Sequence, residues 1–196
     1  MRLILLHGWG ASGDDLLPLG EELQRALGWS AEALMLRALE APETHPAGGA
    51  ARQWYDLNEP GWPGRHGAVE ALGQRLDAEL QQAAGEAVVV LGFSQGAAMA
   101  LEVALPRPVA AVIACSGYPH PDWQPQQNTT AKLLLLHGRD DEVVPVAAQQ
   151  AIATALEGSG VALTARTLAG GHTISGEAMQ CIAGFLKELE AAHSNV

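Results

Sequence analysis

The sequence is poor in cysteine. Only Cys115 and Cys181 occur in 196 residues. Two distant cysteines build neither a disulfide framework nor a thiolate metal cluster, and a reducing compartment is the simpler setting for them. Basic residues are also scarce. Eleven Lys and Arg face 22 Asp and Glu, a formal net charge of −11. Nucleic acid and anionic membrane surfaces would repel such a chain. Long apolar runs are missing as well. The N-terminal run Leu3-Ile4-Leu5-Leu6 is stopped by Gly8, far short of a signal-peptide core or of the roughly 20 apolar residues of a spanning helix. No internal repeat or low-complexity tract is present. What remains is a globular chain, 48% apolar and 17% charged, with the length expected of one domain over residues 1–196 and an expected cytoplasmic location.

Short apolar runs alternate with segments of helical period. Strands are expected near residues 2–6, 34–38, 87–91, 109–115, 132–136 and 161–167. The third, Ala87-Val88-Val89-Val90-Leu91, is β-branched and continuous, as a strand covered on both faces requires. Between them, Leu16, Leu19, Leu23 and Leu27 repeat at three and four residues, with Asp14 and Asp15 as cap candidates. Val69, Leu72, Leu76 and Leu80 repeat likewise. Further helices are expected over residues 95–105 and 145–157, and a last one presents Ala178, Ile182, Phe185 and Leu189 on one face. Residues 41–64 are rich in proline and glycine and form the longest irregular stretch. Strand and helix in alternation imply a mostly parallel sheet with helices on both faces. In such sheets ligands bind beyond the carboxyl ends of the strands.

The polar oddities fall at those ends. Gly92-Phe93-Ser94-Gln95-Gly96 joins the buried strand directly to a helix of small residues. A serine hydroxyl attacks only when exposed, oriented and coupled to a base. A tight strand-to-helix turn supplies the exposure, and its flanking glycines supply space. His7-Gly8-Trp9-Gly10 follows the first strand. Its Trp9 N–H, with that of Gln95, can serve a developing oxyanion if the first and third strands are neighbours; His7 reads as a brace for the loop. After the fifth strand come Asp140 and Asp141, and after the sixth Gly170-Gly171-His172. A carboxylate there can orient an imidazole. Asp141 is preferred, although the pattern does not separate two adjacent aspartates, and either can cap the helix that follows. The order Ser94, Asp, His172 is that of a hydrolytic triad on this kind of sheet.

No His-x-x-x-His or Cys-x-x-Cys spacing points to a metal, so neither metal nor cofactor is expected. One competing motif exists. Gly8, Gly10 and Gly13 spell Gly-x-Gly-x-x-Gly after a strand, which makes a dinucleotide-binding protein the alternative. Glu40 is the nearest acidic residue to a second strand's end. That reading leaves Ser94, Asp141 and His172 unexplained. A catalytically silent scaffold used for protein interaction is a third reading.

As a set, the motifs resemble one family. Leu6-His7-Gly8-Trp9-Gly10, Trp54-Tyr55-Asp56, Gly92-Phe93-Ser94-Gln95-Gly96 with its following helix, Ser116-Gly117, His137-Gly138 with Asp141 and Val144-Pro145, and Gly171-His172 are similar to the phospholipase/carboxylesterase family, the acyl-protein thioesterase-like branch of the α/β-hydrolases. The resemblance implies a six-stranded sheet in the order 2-1-3-4-5-6 with a minimal lid. It implies hydrolysis of a small-molecule carboxylic ester or thioester; an acyl chain of short to medium length is the expectation for this sequence and not part of what the resemblance carries. Ser94 would be the nucleophile, Asp141 the carboxylate and His172 the base, with Trp9 and Gln95 as backbone oxyanion donors. The chain is short for the family, Arg139 stands where many relatives carry an acid, and the regions before Gln53 and over residues 57–67 look trimmed. Trp54, Trp62, Tyr118 and Trp123 lie in loops and are candidates for lining an acyl groove, although each alone would more ordinarily pack over a loop. Natural substrate and oligomeric state are not legible in the sequence.

Overall fold

A computed structural model describes residues 1–126 and 130–193. Strand β1 (Arg2–Leu6) leads through a short 3-10 turn (Gly13–Leu16) to helix α1 (Leu17–Leu27) and strand β2 (Met35–Leu39). A two-stranded hairpin follows, β3 (Glu43–Thr44) and β4 (Arg52–Gln53), then helix α2 (Arg65–Ala83). The remaining order is β5 (Val88–Phe93), α3 (Gln95–Val103), β6 (Ala111–Cys115), β7 (Lys132–Gly138), α4 (Ala147–Ala155), β8 (Ala162–Leu168) and α5 (Gly176–His193).

Six strands form one sheet in the order β2-β1-β5-β6-β7-β8, and every neighbouring pair in it runs parallel. Counting only these strands, the order is the expected 2-1-3-4-5-6. It reverses direction between β1 and β5, which places the loop after Leu6 beside the turn after Phe93.

Period-two alternation explains the two faces. Ile4, Leu6, Val88, Val90, Val112, Ala114, Leu133 and Leu135 point into a core under α2, α3 and α4. Leu3, Leu5, Val89, Leu91, Ile113, Leu134 and Leu136 point into a second core under α1 and α5. The central strands β1, β5 and β6 are therefore almost wholly buried, and the edge strands β2 and β8 are largely open. Truncating a buried leucine such as Leu91 to alanine would cost about 2–5 kcal/mol, since transfer and cavity losses add.

Several local expectations shift. The strand expected from Val109 begins at Ala111. On α5 the inward face is Ala178, Ile182, Leu186 and Leu189, with Phe185 at its margin. Ahead of α1, Ser12 is the capping position of the 3-10 turn, with its N–H donating to Asp15 at 2.6 Å. Among the described residues, no helix is long and apolar enough to cross a membrane.

Candidate active site

Ser94 occupies the single residue between β5 and α3. Its backbone is in the left-handed region, φ 54°, which is costly for any residue with a Cβ. The conformation is held by Ser94 N–H donating to the Cys115 carbonyl at 2.9 Å, and by Ala97 and Ala98 N–H donating to the Ser94 carbonyl. Close approach explains the flanking glycines. A Cβ on Gly92 would stand 2.3 Å from the Gly96 carbonyl oxygen, and one on Gly96 would stand 2.1 Å from that of Leu6. The helix start is thus pressed against the end of β1.

The Ser94 Oγ lies 2.9 Å from His172 Nε2. His172 Nδ1 lies 2.8 Å from Asp141 Oδ2. The other oxygen of Asp141 accepts N–H bonds from Val143 and Val144 at 3.0 and 2.8 Å. Burial pushes the Asp141 carboxyl up, but bonds from His172, from the Val144 N–H and from the Ser116 hydroxyl outweigh it, and the net shift is downward. The carboxylate therefore stays ionised beside the imidazole. Asp140 is exposed and outside this row. Phe93 supports the imidazole, ring centroids 4.8 Å apart.

Trp9 sits in the loop after β1. Its backbone N–H and that of Gln95 donate to no protein acceptor among the described residues. The Trp9 loop is strapped down from outside. Gly10 N–H donates to the Arg52 carbonyl, and Arg52 N–H donates to that of Ala11. Trp9 Nε1 donates to Gln53 Oε1 at 2.9 Å, and its ring meets the His45 ring edge-on at 4.1 Å. His7 is fully buried. Its Nε2 accepts from Ala41 N–H, so Nδ1 carries the proton toward the Gly8 carbonyl. Burial lowers its pKa, more than that carbonyl raises it.

The loop of the dinucleotide motif is closed to phosphate. Gly10 and Ala11 N–H donate to backbone carbonyls, Ser12 N–H to Asp15 and Gly13 N–H to Glu40. The four consecutive donors from Gly10 to Gly13, which a pyrophosphate would compete for, are thus already satisfied by the chain's own carbonyls and carboxylates.

A cleft of about 560 Å³ opens over Ser94 and His172. Of the four aromatic candidates, Trp62 and Tyr118 line it, together with Leu57, Phe93, Val143 and Pro145. Two of the aromatic candidates do not. Trp54 is buried beneath the site, where its indole N–H bonds the His7 carbonyl at 2.9 Å; an indole whose donor is satisfied internally packs well out of solvent. Trp123 lies in a separate cleft with Leu101, Glu102 and Leu105. The Gln95 side chain was not singled out by sequence. It pins the elbow to the chain after β4, accepting from Trp54 N–H at 3.0 Å and donating to the Tyr55 carbonyl at 2.8 Å. Its only prior signal was its place in the serine motif.

A sequence model of the phospholipase/carboxylesterase family matches residues 1–190. The chain belongs to this phospholipase/carboxylesterase family. Solved relatives agree with it in sequence and fold. Esterase PE8 is 30% identical, the match covers 96% of this chain and 92% of that one, and the TM-score is 0.83. SOBER1 of Arabidopsis thaliana is 26% identical over 96% of this chain and 98% of that one, with a TM-score of 0.76. A carboxylesterase from Mesorhizobium loti, 23% identical over 95% and 88% of the two chains with a TM-score of 0.76, shares the α/β-hydrolase fold.

Proposed function

We propose that this chain, acting as one domain, is a serine esterase that transfers the acyl group of a carboxylic ester, or of a thioester, to water. Ser94 Oγ attacks the carbonyl carbon and its proton passes to His172 Nε2. The new oxyanion takes hydrogen bonds from the Trp9 and Gln95 N–H groups. On collapse the bond to the leaving oxygen or sulfur breaks, and His172 returns the proton to it. Water then attacks the acyl-enzyme, giving its proton to His172. A carboxylic acid leaves and Ser94 is restored. Asp141 holds the imidazole in the Nδ1–H tautomer and stabilises its charged form.

One observation carries the reading: the row from Ser94 Oγ through His172 to Asp141, with bonds of 2.9 and 2.8 Å. Membership of the phospholipase/carboxylesterase family and the likeness to esterase PE8 support the reaction class. The apolar cleft above the serine fits acyl chains of short to medium length. A fluorophosphonate probe tests it. The wild-type protein should be labelled and should hydrolyse p-nitrophenyl esters, and Ser94→Ala should do neither. Equal labelling of both proteins would remove Ser94 from the role.

A further inference from the structure

Trp62 forms the cleft wall in an unusual way. It belongs to no strand or helix, and its φ is 50°, the left-handed region. A bulky residue there is costly unless its surroundings impose the conformation. The turn bonds hold its backbone: Trp62 N–H donates to the Glu59 carbonyl, and Arg65 N–H donates to the Trp62 carbonyl, both at 3.0 Å. Its ring rests on Tyr55 and Tyr118, each with centroids 5.7 Å away, and on His120 at 6.5 Å.

Those three supports are tied to one another. The Tyr118 and Tyr55 hydroxyls are 2.8 Å apart, and the Tyr55 hydroxyl is 2.8 Å from His120 Nε2. His120 Nδ1 bonds Glu102. Glu102 also accepts from Arg65 Nη1 at 3.3 Å. Its carboxyl is held below the ordinary range, first by the His120 bond and further by Arg65. An ionised Glu102 accepts only, so Nδ1 carries the His120 proton. Tyr55 bridges the His120 ring and the Tyr118 hydroxyl, so the Tyr118 hydroxyl is engaged within the row.

The circuit closes. Arg65 bonds Trp62 through its backbone and Glu102 through its side chain, and Glu102 stands on α3, the helix that Ser94 begins. The wall is therefore indexed to the nucleophile's own helix. On the reaction proposed above, on which this step rests, His172 hands its proton to the leaving group. The leaving group then lies on the His172 side. The same cleft brings Leu57, Trp62 and Tyr118 to the serine, apolar surface against which an acyl chain can lie.

We propose that the row Tyr118–Tyr55–His120–Glu102 is a positioning device that fixes the Trp62–Tyr118 wall and thereby sets a preference for octanoyl-sized over acetyl-sized hydrocarbon groups. Tyr55 and His120 are positioning residues, since neither touches the reacting atoms. Tyr55→Phe removes one hydroxyl and keeps the ring. It should raise KM for p-nitrophenyl octanoate by about fivefold, as expected for one lost hydrogen bond of about 1 kcal/mol, and leave kcat and the acetate ester within about twofold. His120→Leu should act in the same direction. A second readout does not need turnover. Tryptophan fluorescence follows methyl octyl ketone, an unreactive ester isostere, binding to Ser94→Ala and to Ser94→Ala with Tyr55→Phe. The second protein should bind about fivefold more weakly. Equal ketone affinities, or an equal loss on acetate and octanoate, would overturn the device. Weakened ketone binding with no hydrolysis by the wild type would instead sink the esterase reading and leave the wall's role standing.

Discussion

Asp141 faces His172 with one carboxylate oxygen, 2.8 Å from Nδ1, and spends the other on the Val143 and Val144 N–H groups. A carboxylate clamped in this way holds its second oxygen against the imidazole. Asp141→Asn should therefore lower kcat by about 10³–10⁴-fold, since an amide can favour the wrong imidazole tautomer. Asp140→Asn, on an exposed side chain, should stay within about twofold. Steady-state rates on one p-nitrophenyl ester rank the two; the reverse order would reassign the carboxylate.

Acid should weaken the fold in two stages. His7 is held neutral in the folded state by burial, below the ordinary imidazole value of 6.5. Between the folded and unfolded values the unfolded chain binds more protons, so stability falls as pH drops. The His7 contribution is complete above about 6.5 and is lost as pH falls toward the folded value. Asp141, also lowered, contributes fully above 3.8 and loses its part only below that. Urea midpoints measured from pH 7.5 down to 5 should fall less steeply in His7→Gln than in wild type. Parallel slopes would show that His7 is not the group responsible.

Glycines separate into those that hold the site and those that cost stability. Gly96 leaves no room for a methyl group, because the Leu6 carbonyl oxygen would be 2.1 Å away. Gly96→Ala should abolish soluble folded protein or cost several kcal/mol, as backbone atoms cannot give way. Gly184, in the middle of α5, has nothing within 4 Å of its would-be Cβ. Gly184→Ala should stabilise by about 0.5–1 kcal/mol, near 2 °C in Tm for a chain of this size. Thermal melts of the two proteins suffice.

The sheet and the serine row were legible because both follow from short-range rules. Buried central strands read as apolar runs such as residues 88–91, and the parallel topology put every chain end of interest on one edge. Gly92 and Gly96 carried a signal because a Cβ at either position would collide with backbone. The cleft was less legible. Trp54 and Trp62 are equally aromatic and both lie in the irregular stretch, yet one bonds the His7 carbonyl beneath the site and the other walls it. That difference depends on Gln95 reaching back to residues 54 and 55, a contact across some forty positions that no local pattern encodes. The dinucleotide spelling at Gly8, Gly10 and Gly13 failed for a related reason. The N–H groups of residues 10–13 are taken by Arg52, Glu40 and other parts of the chain, which the motif itself does not reveal.

Gln53 links the hairpin to the proposed oxyanion donor. Its Oε1 accepts from the Trp9 indole at 2.9 Å, and its Nε2 donates to Glu43 at 3.1 Å. The residue is buried, whereas Trp9 is over a third exposed at 37%. The indole thus acts as a strut through which the hairpin fixes the Trp9 backbone. An oxyanion contact acts mainly in the transition state, so loosening it should lower kcat more than it raises KM. Removing such a donor outright costs about 10²–10³ in kcat, and misplacing it should cost a part of that, about tenfold in Gln53→Leu. Trp9→Phe keeps the backbone N–H and drops the strut, and it should lose a similar factor. Because both changes break the same bond, the double variant should be little worse than either alone. Fully additive losses in that cycle would mean that Gln53 acts on the hairpin and not through Trp9.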